Sequence, residues 1–114
     1  MEFLDEARKK IEDRRREKRE RDVSDIRKIL EKAEGRRYLW GLMADGGVFH
    51  SSFAGAGQND QTNFNEGMRS LGLRIFSDIM EADPAKFKQM QDEHKSEARK
   101  EELRDQEEQK QKEL

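Results

Sequence analysis

The sequence contains no cysteine, a single proline, a single tryptophan and a single tyrosine. Without cysteine there is no disulfide scaffold, no thiolate zinc site and no thiol nucleophile. Its two histidines, His50 and His94, lie far apart in the chain, and neither has a neighbour at metal-ligand spacing. Hydrophobic residues make up 32% of the chain, against about 45–50% in ordinary soluble domains, so core material is scarce. No apolar run approaches the ~18 residues of a membrane span, and the first residues are too charged for a signal peptide. What is abundant is charge: 24 Lys and Arg against 26 Asp and Glu, 44% of 114 residues. The expectation is a soluble, intracellular or particle-enclosed, largely helical protein of one domain or at most two. Such a composition suits an interaction or structural protein better than an enzyme, and it implies no cofactor and no metal.

The net charge of −2 hides a segregated pattern. Residues 1–34 carry 12 basic and 11 acidic side chains, residues 35–83 carry 4 and 6, and residues 84–114 carry 8 and 9. The ends are dense in both signs and the middle is sparse. Neither end shows the one-signed excess of a nucleic-acid arm, so nucleic acid is not expected as the main partner.

Residues 1–22 read as a charged helical arm. Glu2 to Lys32 has neither glycine nor proline and is rich in residues that keep their rotamer freedom in a helix. Leu4, Ala7 and Ile11 form a short stripe, and residues 12–22 have no apolar face, the mark of a solvated or partner-bound helix. Amphipathicity returns at Val23, Ile26, Leu30 and Ala33, with Asp22 or Ser24 as a cap for a fresh helix. Gly35 is read as a joint, followed by a short helix over 36–44 that Asp45-Gly46-Gly47 ends.

Residues 48–63 read as a long loop, with Phe49 and Phe53 as its anchors. Asn63 and Glu66 then resemble a capping box. Behind it comes the clearest helical period in the chain: Met68, Leu71, Gly72, Ile75, Phe76, Ile79 and Met80. Gly67 and Gly72 cost about 1 kcal/mol each inside a helix relative to Ala, which points to close approach of another backbone. Asp83-Pro84 starts the last helix. Phe87, Met90 and His94 continue an inward face, after which residues to 114 become a charged rod or tail. The predicted architecture is all-α: a helical hairpin core over 23–83 with a long loop over 45–63, and charged arms over 1–22 and 84–114.

No catalytic constellation emerges. Gly55-Ala56-Gly57 lacks the lysine and the preceding strand of a phosphate-binding loop, and reads as a flexible turn. Ser51 and Ser52 beside His50 have no orienting acid. The basic run Arg14-Arg15-Arg16-Glu17-Lys18-Arg19 is the best nucleic-acid candidate, but its interleaved acids weaken the field that counterion release requires. Candidate interaction residues are the aromatics Trp40, Phe49, Phe53 and Phe64, and the only basic residues of the middle segment, Arg36, Arg37, Arg69 and Arg74. The aromatics read first as core. The arginines read either as structural pairs with Asp45, Glu66 or Asp78, or as a patch for a partner.

Two blocks carry a resemblance. Gly35-Arg36-Arg37-Tyr38-Leu39-Trp40 with Gly47-Val48-Phe49-His50-Ser51-Ser52-Phe53 is one, and Thr62-Asn63-Phe64-Asn65-Glu66-Gly67-Met68-Arg69 with Gly72-Leu73-Arg74 is the other. Together they resemble the Bbp-nineteen-like phage domain, found among the structural genes of short-tailed bacteriophages. The resemblance spans about residues 25–82; Met68 stands where the family more often has Arg. It implies a phage particle context and supplies no catalytic residues. The combined expectation is a non-enzymatic minor virion protein at the portal–tail vertex or in the internal core, with a role in ejection of genome or protein among those open to it. Its partners would be other copies of itself and portal, tail or internal core proteins, with no membrane and no cofactor. Two alternatives stay open: a scaffold-like assembly factor missing from mature particles, and an intracellular nucleic-acid-binding or host-modulating protein.

Overall fold

The computed structural model describes residues 1–114. Four helices follow one another, α1 (Glu2–Leu30), α2 (Ala33–Asp45), α3 (Asn59–Ala82) and α4 (Pro84–Glu113), with no strand. The fold is all-α.

α1 runs unbroken through residues 22–24, where a fresh helix start is expected from the sequence. Asp22 does not cap. Its carboxylate lies 3.4 Å from Lys18 Nζ one turn back and 3.4 Å from Arg74 on α3, while Val23 is buried. The chain instead breaks at Glu31-Lys32, where Lys32 is extended. Gly35 therefore sits in the first turn of α2 rather than at the joint. Its place there is set by contact, since a Cβ at this position would run into the carbonyl of Ile29. Gly47, with φ +79°, ends the α2 region.

The loop is shorter than the sequence suggests, because α3 begins at Asn59 and not at Asn63. The polar side chains of its first turns hold the loop instead of capping the helix. Thr62 Oγ1 accepts from the Ala54 amide at 3.0 Å, and Asn65 Nδ2 donates to the Ser52 carbonyl at 3.2 Å.

Leu30, Leu39, Met43, Ile79 and Met90 form the buried cluster, with Ile26, Trp40, Val48, Ile75, Phe76 and Phe87 partly buried around it. Every helix contributes, so the core is not a two-helix hairpin; the first turns of α4 complete it through Phe87 and Met90. The long apolar face of α3 is only half used. Gly72 and Ile79 are buried, whereas Met68, Leu71 and Met80 remain exposed, because α1, α2 and α4 cover only part of its circumference. Gly72 meets the close approach expected of it: a Cβ there would stand 2.5 Å from Val48 Cγ2. Gly67 does not, having open space around it.

The molecule measures 82 × 43 × 15 Å with a radius of gyration of 20.4 Å, against about 13 Å for a compact chain of this size. It is no thicker than two packed helices. The long dimension approaches the summed lengths of α1 and α4, about 43 and 45 Å at 1.5 Å per residue, so the two run one after the other. α1 enters the core near Arg19, which pairs with Asp78 and Glu81 of α3. It ends at Leu30, whose carbonyl binds Arg36. α4 passes that same point at Glu93 and leaves from the opposite end. Residues 2–18 and 95–113 thus project in opposite directions.

Candidate functional site

The most organised set of polar and aromatic side chains lies where α1, α2 and α4 meet. The i, i+4 spacing of Arg36 and Trp40 puts both on one face of α2, turned toward α4. Arg36 is buried, 8% exposed. It donates from Nη1 to the Leu30 carbonyl at 2.8 Å and from Nε to Glu93 at 2.7 Å. The first bond satisfies a carbonyl that the end of α1 leaves free; the second compensates the buried charge.

Trp40 is the aromatic hub. It stacks on Phe49 of the loop at 4.8 Å between ring centroids and on His94 of α4 at 5.0 Å, and it lies 5.9 Å from Phe87. Phe87 meets Phe76 of α3 edge-on at 5.0 Å. These spacings fall in the favourable range for aromatic pairs. Beyond them α2 and α4 diverge into a groove with Ala33, Arg37 and Trp40 on one wall and His94, Glu97 and Lys100 on the other. It is open and lined by both signs of charge.

The remaining residues nominated from the sequence divide. Phe49 anchors the loop as expected. Phe53 does not; it is 69% exposed, and the loop there is held by the hydrogen bonds of Thr62 and Asn65. Phe64 is also exposed and takes no part in the core. It shares a face of α3 with Met68 and Leu71, also exposed, at i, i+4 and i+7.

Arg74 reaches Asp22 of α1 at 3.4 Å. Arg69 keeps a buried Nε with no hydrogen-bond partner. Arg37 is exposed on the groove wall. The expected partners of these arginines were Asp45, Glu66 and Asp78. Arg36 and Arg74 do form structural pairs, but with Glu93 and Asp22, while Asp78 is taken by Arg19.

Sequence reasoning missed Glu93 and His94 as partners of α2, and Arg19 as a link to α3. Only the inward face of Phe87, Met90 and His94 hinted at the first pair. The Arg19 guanidinium is held further toward its charged form, first by the Glu81 hydrogen bond and charge, with Asp78 adding to it. No group of three or more His, Asp or Glu side chains converges to hold a metal ion, and no helix is long and apolar enough to cross a membrane.

Residues 26–92 match the family described as Bbp19-like phage protein. The chain belongs to this family. The matched stretch runs from the last turn of α1 to the third turn of α4, so it takes in Arg36, Trp40 with Phe49, Phe76 and Phe87, the loop and all of α3, and stops just short of Glu93 and His94. It reaches beyond the stretch in which the sequence blocks lie, and the extra residues include Phe87 and Met90, which the core requires. The matched residues thus hold most of the packed centre of this molecule, while both projecting arms lie outside them, together with Arg19, Asp22 and buried Val23 on one side and Glu93 and His94 on the other. Neither the curated proteins nor the solved structures contain a match to the chain.

Proposed function

We propose that this Bbp19-like phage protein is a non-enzymatic minor structural protein of a short-tailed phage virion, placed at the portal–tail vertex or in the internal core. It binds other copies of itself and portal, tail or internal core proteins, with ejection of genome or protein among the roles open to it. One observation carries the reading: a small packed centre bears two long, charged, unpartnered helices at opposite ends of an 82 Å molecule. Charged helices with so little apolar surface of their own gain little from folding alone, so arms of this kind make sense as contact surfaces for neighbours. Exposed Phe64, Met68 and Leu71 on α3 add an apolar face of the sort that interaction sites use.

The scaffold reading rests on the same charged, core-poor composition and differs in the fate of the protein. The nucleic-acid reading is weaker, because much of the basic run is already neutralised: Arg16 pairs with Asp13, Lys18 with Asp22, and Arg19 with Asp78 and Glu81. Quantitative mass spectrometry of mature particles and DNA-free precursors from one infection tests the three. A fixed ratio to portal in mature particles supports the virion reading. Presence in precursors alone makes the protein a scaffold, and absence from both turns attention to salt-dependent DNA binding.

A further inference from the structure

Gly67 is a residue that the folded chain alone does not explain. It stands inside α3, where glycine costs about 1 kcal/mol relative to Ala. Its φ is not positive, and a Cβ added there would meet nothing within 4 Å. Phe64 and Leu71, one turn to either side on the same face, are 63% and 61% exposed, and Met68 beside them is 40% exposed. Ile29 of α1, 42% exposed, adjoins Leu71 in the corner between α1 and α3. This face is free of charge in a chain that is 44% charged. From Gln61 to Leu73 only Glu66 and Arg69 are charged, and at 3.6 residues per turn both fall on the other side of the helix from Phe64 and Leu71. Asp60 and Arg74 bound the face at its two ends. An apolar middle with a charged rim is the composition of an interface.

We propose that this face is covered by the same face of a second copy, with Phe64 of each chain seated on Gly67 of the other. The face holds its own complement: a large knob and, one turn away, a hole that lets a second helix approach closely. A two-fold contact requires both on one surface, since residue i must meet j while j meets i. A partner of another sequence has no need of the pair. At ~150–250 Å² for a large side chain, the exposed fractions of Phe64, Met68, Leu71 and Ile29 come to about 400 Å² of apolar surface, the size of an interaction patch. With interfaces about 60% apolar, two copies bury about 1,300 Å² in all, enough for a specific and reversible dimer. This deepens the assembly reading above by naming where copies meet; it rests on that reading only in taking the partner to be another copy, and it does not require the particle.

Sedimentation equilibrium of the full-length chain tests the pairing. The expected result is a monomer–dimer equilibrium with a Kd on the order of 10 μM, which persists in about 1 M salt, where contacts between charges are screened. Phe64→Ala removes the knob and Gly67→Gln fills the hole, and each is expected to weaken the dimer at least tenfold. Both positions are exposed within one molecule, so thermal melting of the dilute chain should show the fold intact. Gly67→Gln should even raise that midpoint through its helix propensity, so one substitution helps the monomer and harms the dimer. Ile11→Glu, on the arm, leaves the dimer unchanged. A chain that stays monomeric to about 1 mM, a dimer that withstands both Phe64→Ala and Gly67→Gln, or one that Ile11→Glu dissociates, overturns the pairing. Particle mass spectrometry reports on the virion reading separately: a dimer through this face with absence from particles leaves this inference standing, and presence in particles without dimerisation removes it alone.

Discussion

Arg36 Nε donates to Glu93 at 2.7 Å while its Nη1 holds the carbonyl of Leu30 at 2.8 Å. One side chain thereby joins the end of α1, the start of α2 and the third turn of α4. Glu93→Ala leaves a buried guanidinium with half its partners. Because the Glu93 side chain is 36% exposed, the expected loss is at the low end for a charged hydrogen bond, about 1–2 kcal/mol by urea denaturation. Glu93→Gln, which keeps an acceptor oxygen, should recover about half of that loss. An unchanged midpoint for Glu93→Ala would remove this bond from the account of how α4 docks.

Trp40 touches rings from the loop and from α4. Trp40→Ala is expected to cost about 3 kcal/mol, and to raise hydrogen exchange in the loop around Phe49 as well as in the first turns of α4. A loss confined to α2 would show that the stacking does not tie these elements together.

The two glycines inside α3 should respond in opposite directions to the same substitution. Gly67 has open space around it, so Gly67→Ala gains helix propensity and is expected to stabilise by up to about 1 kcal/mol. Gly72→Ala must displace Val48 and is expected to destabilise by about 1–3 kcal/mol. Thermal melting of the two variants checks the pair, and shifts of the same sign would contradict the packing at Gly72.

A charge placed in the core separates buried from half-buried positions on α3. Ile79 is fully buried and Ile75 partly so. Ile79→Asp is expected to abolish cooperative unfolding, and Ile75→Asp, whose carboxylate can reach water, to lower the midpoint while retaining a transition. The reverse ranking in circular dichroism melts would overturn the assignment of the inner face.

Helix content, the arms and the general position of the core were legible in the sequence, because long glycine-free stretches and the Ile75–Ile79 spacing report on local energetics. Long-range choices were not. Asp22 looked like a cap because Asp caps helices well; its use in bonding Arg74 depends on α3 lying alongside. Asn63 looked like a cap for similar reasons, whereas the polar residues around it serve the loop. Of the four arginines of the middle segment, Arg36 and Arg74 form pairs, yet their acids lie 57 and 52 positions away, beyond what local spacing reports, and Arg37 and Arg69 form none. Phe53 shows the converse limit: an aromatic in a loop need not anchor it.

The account holds that the folded centre is self-sufficient and that the arms are surfaces for neighbours. Hydrogen exchange on the dilute full-length chain tests this most directly. The expected result is slow exchange across α2, the inner face of α3 and the first turns of α4, with fast exchange over residues 2–18 and 95–113. Protection of the arms equal to that of the centre, in a chain shown to be monomeric, would contradict it.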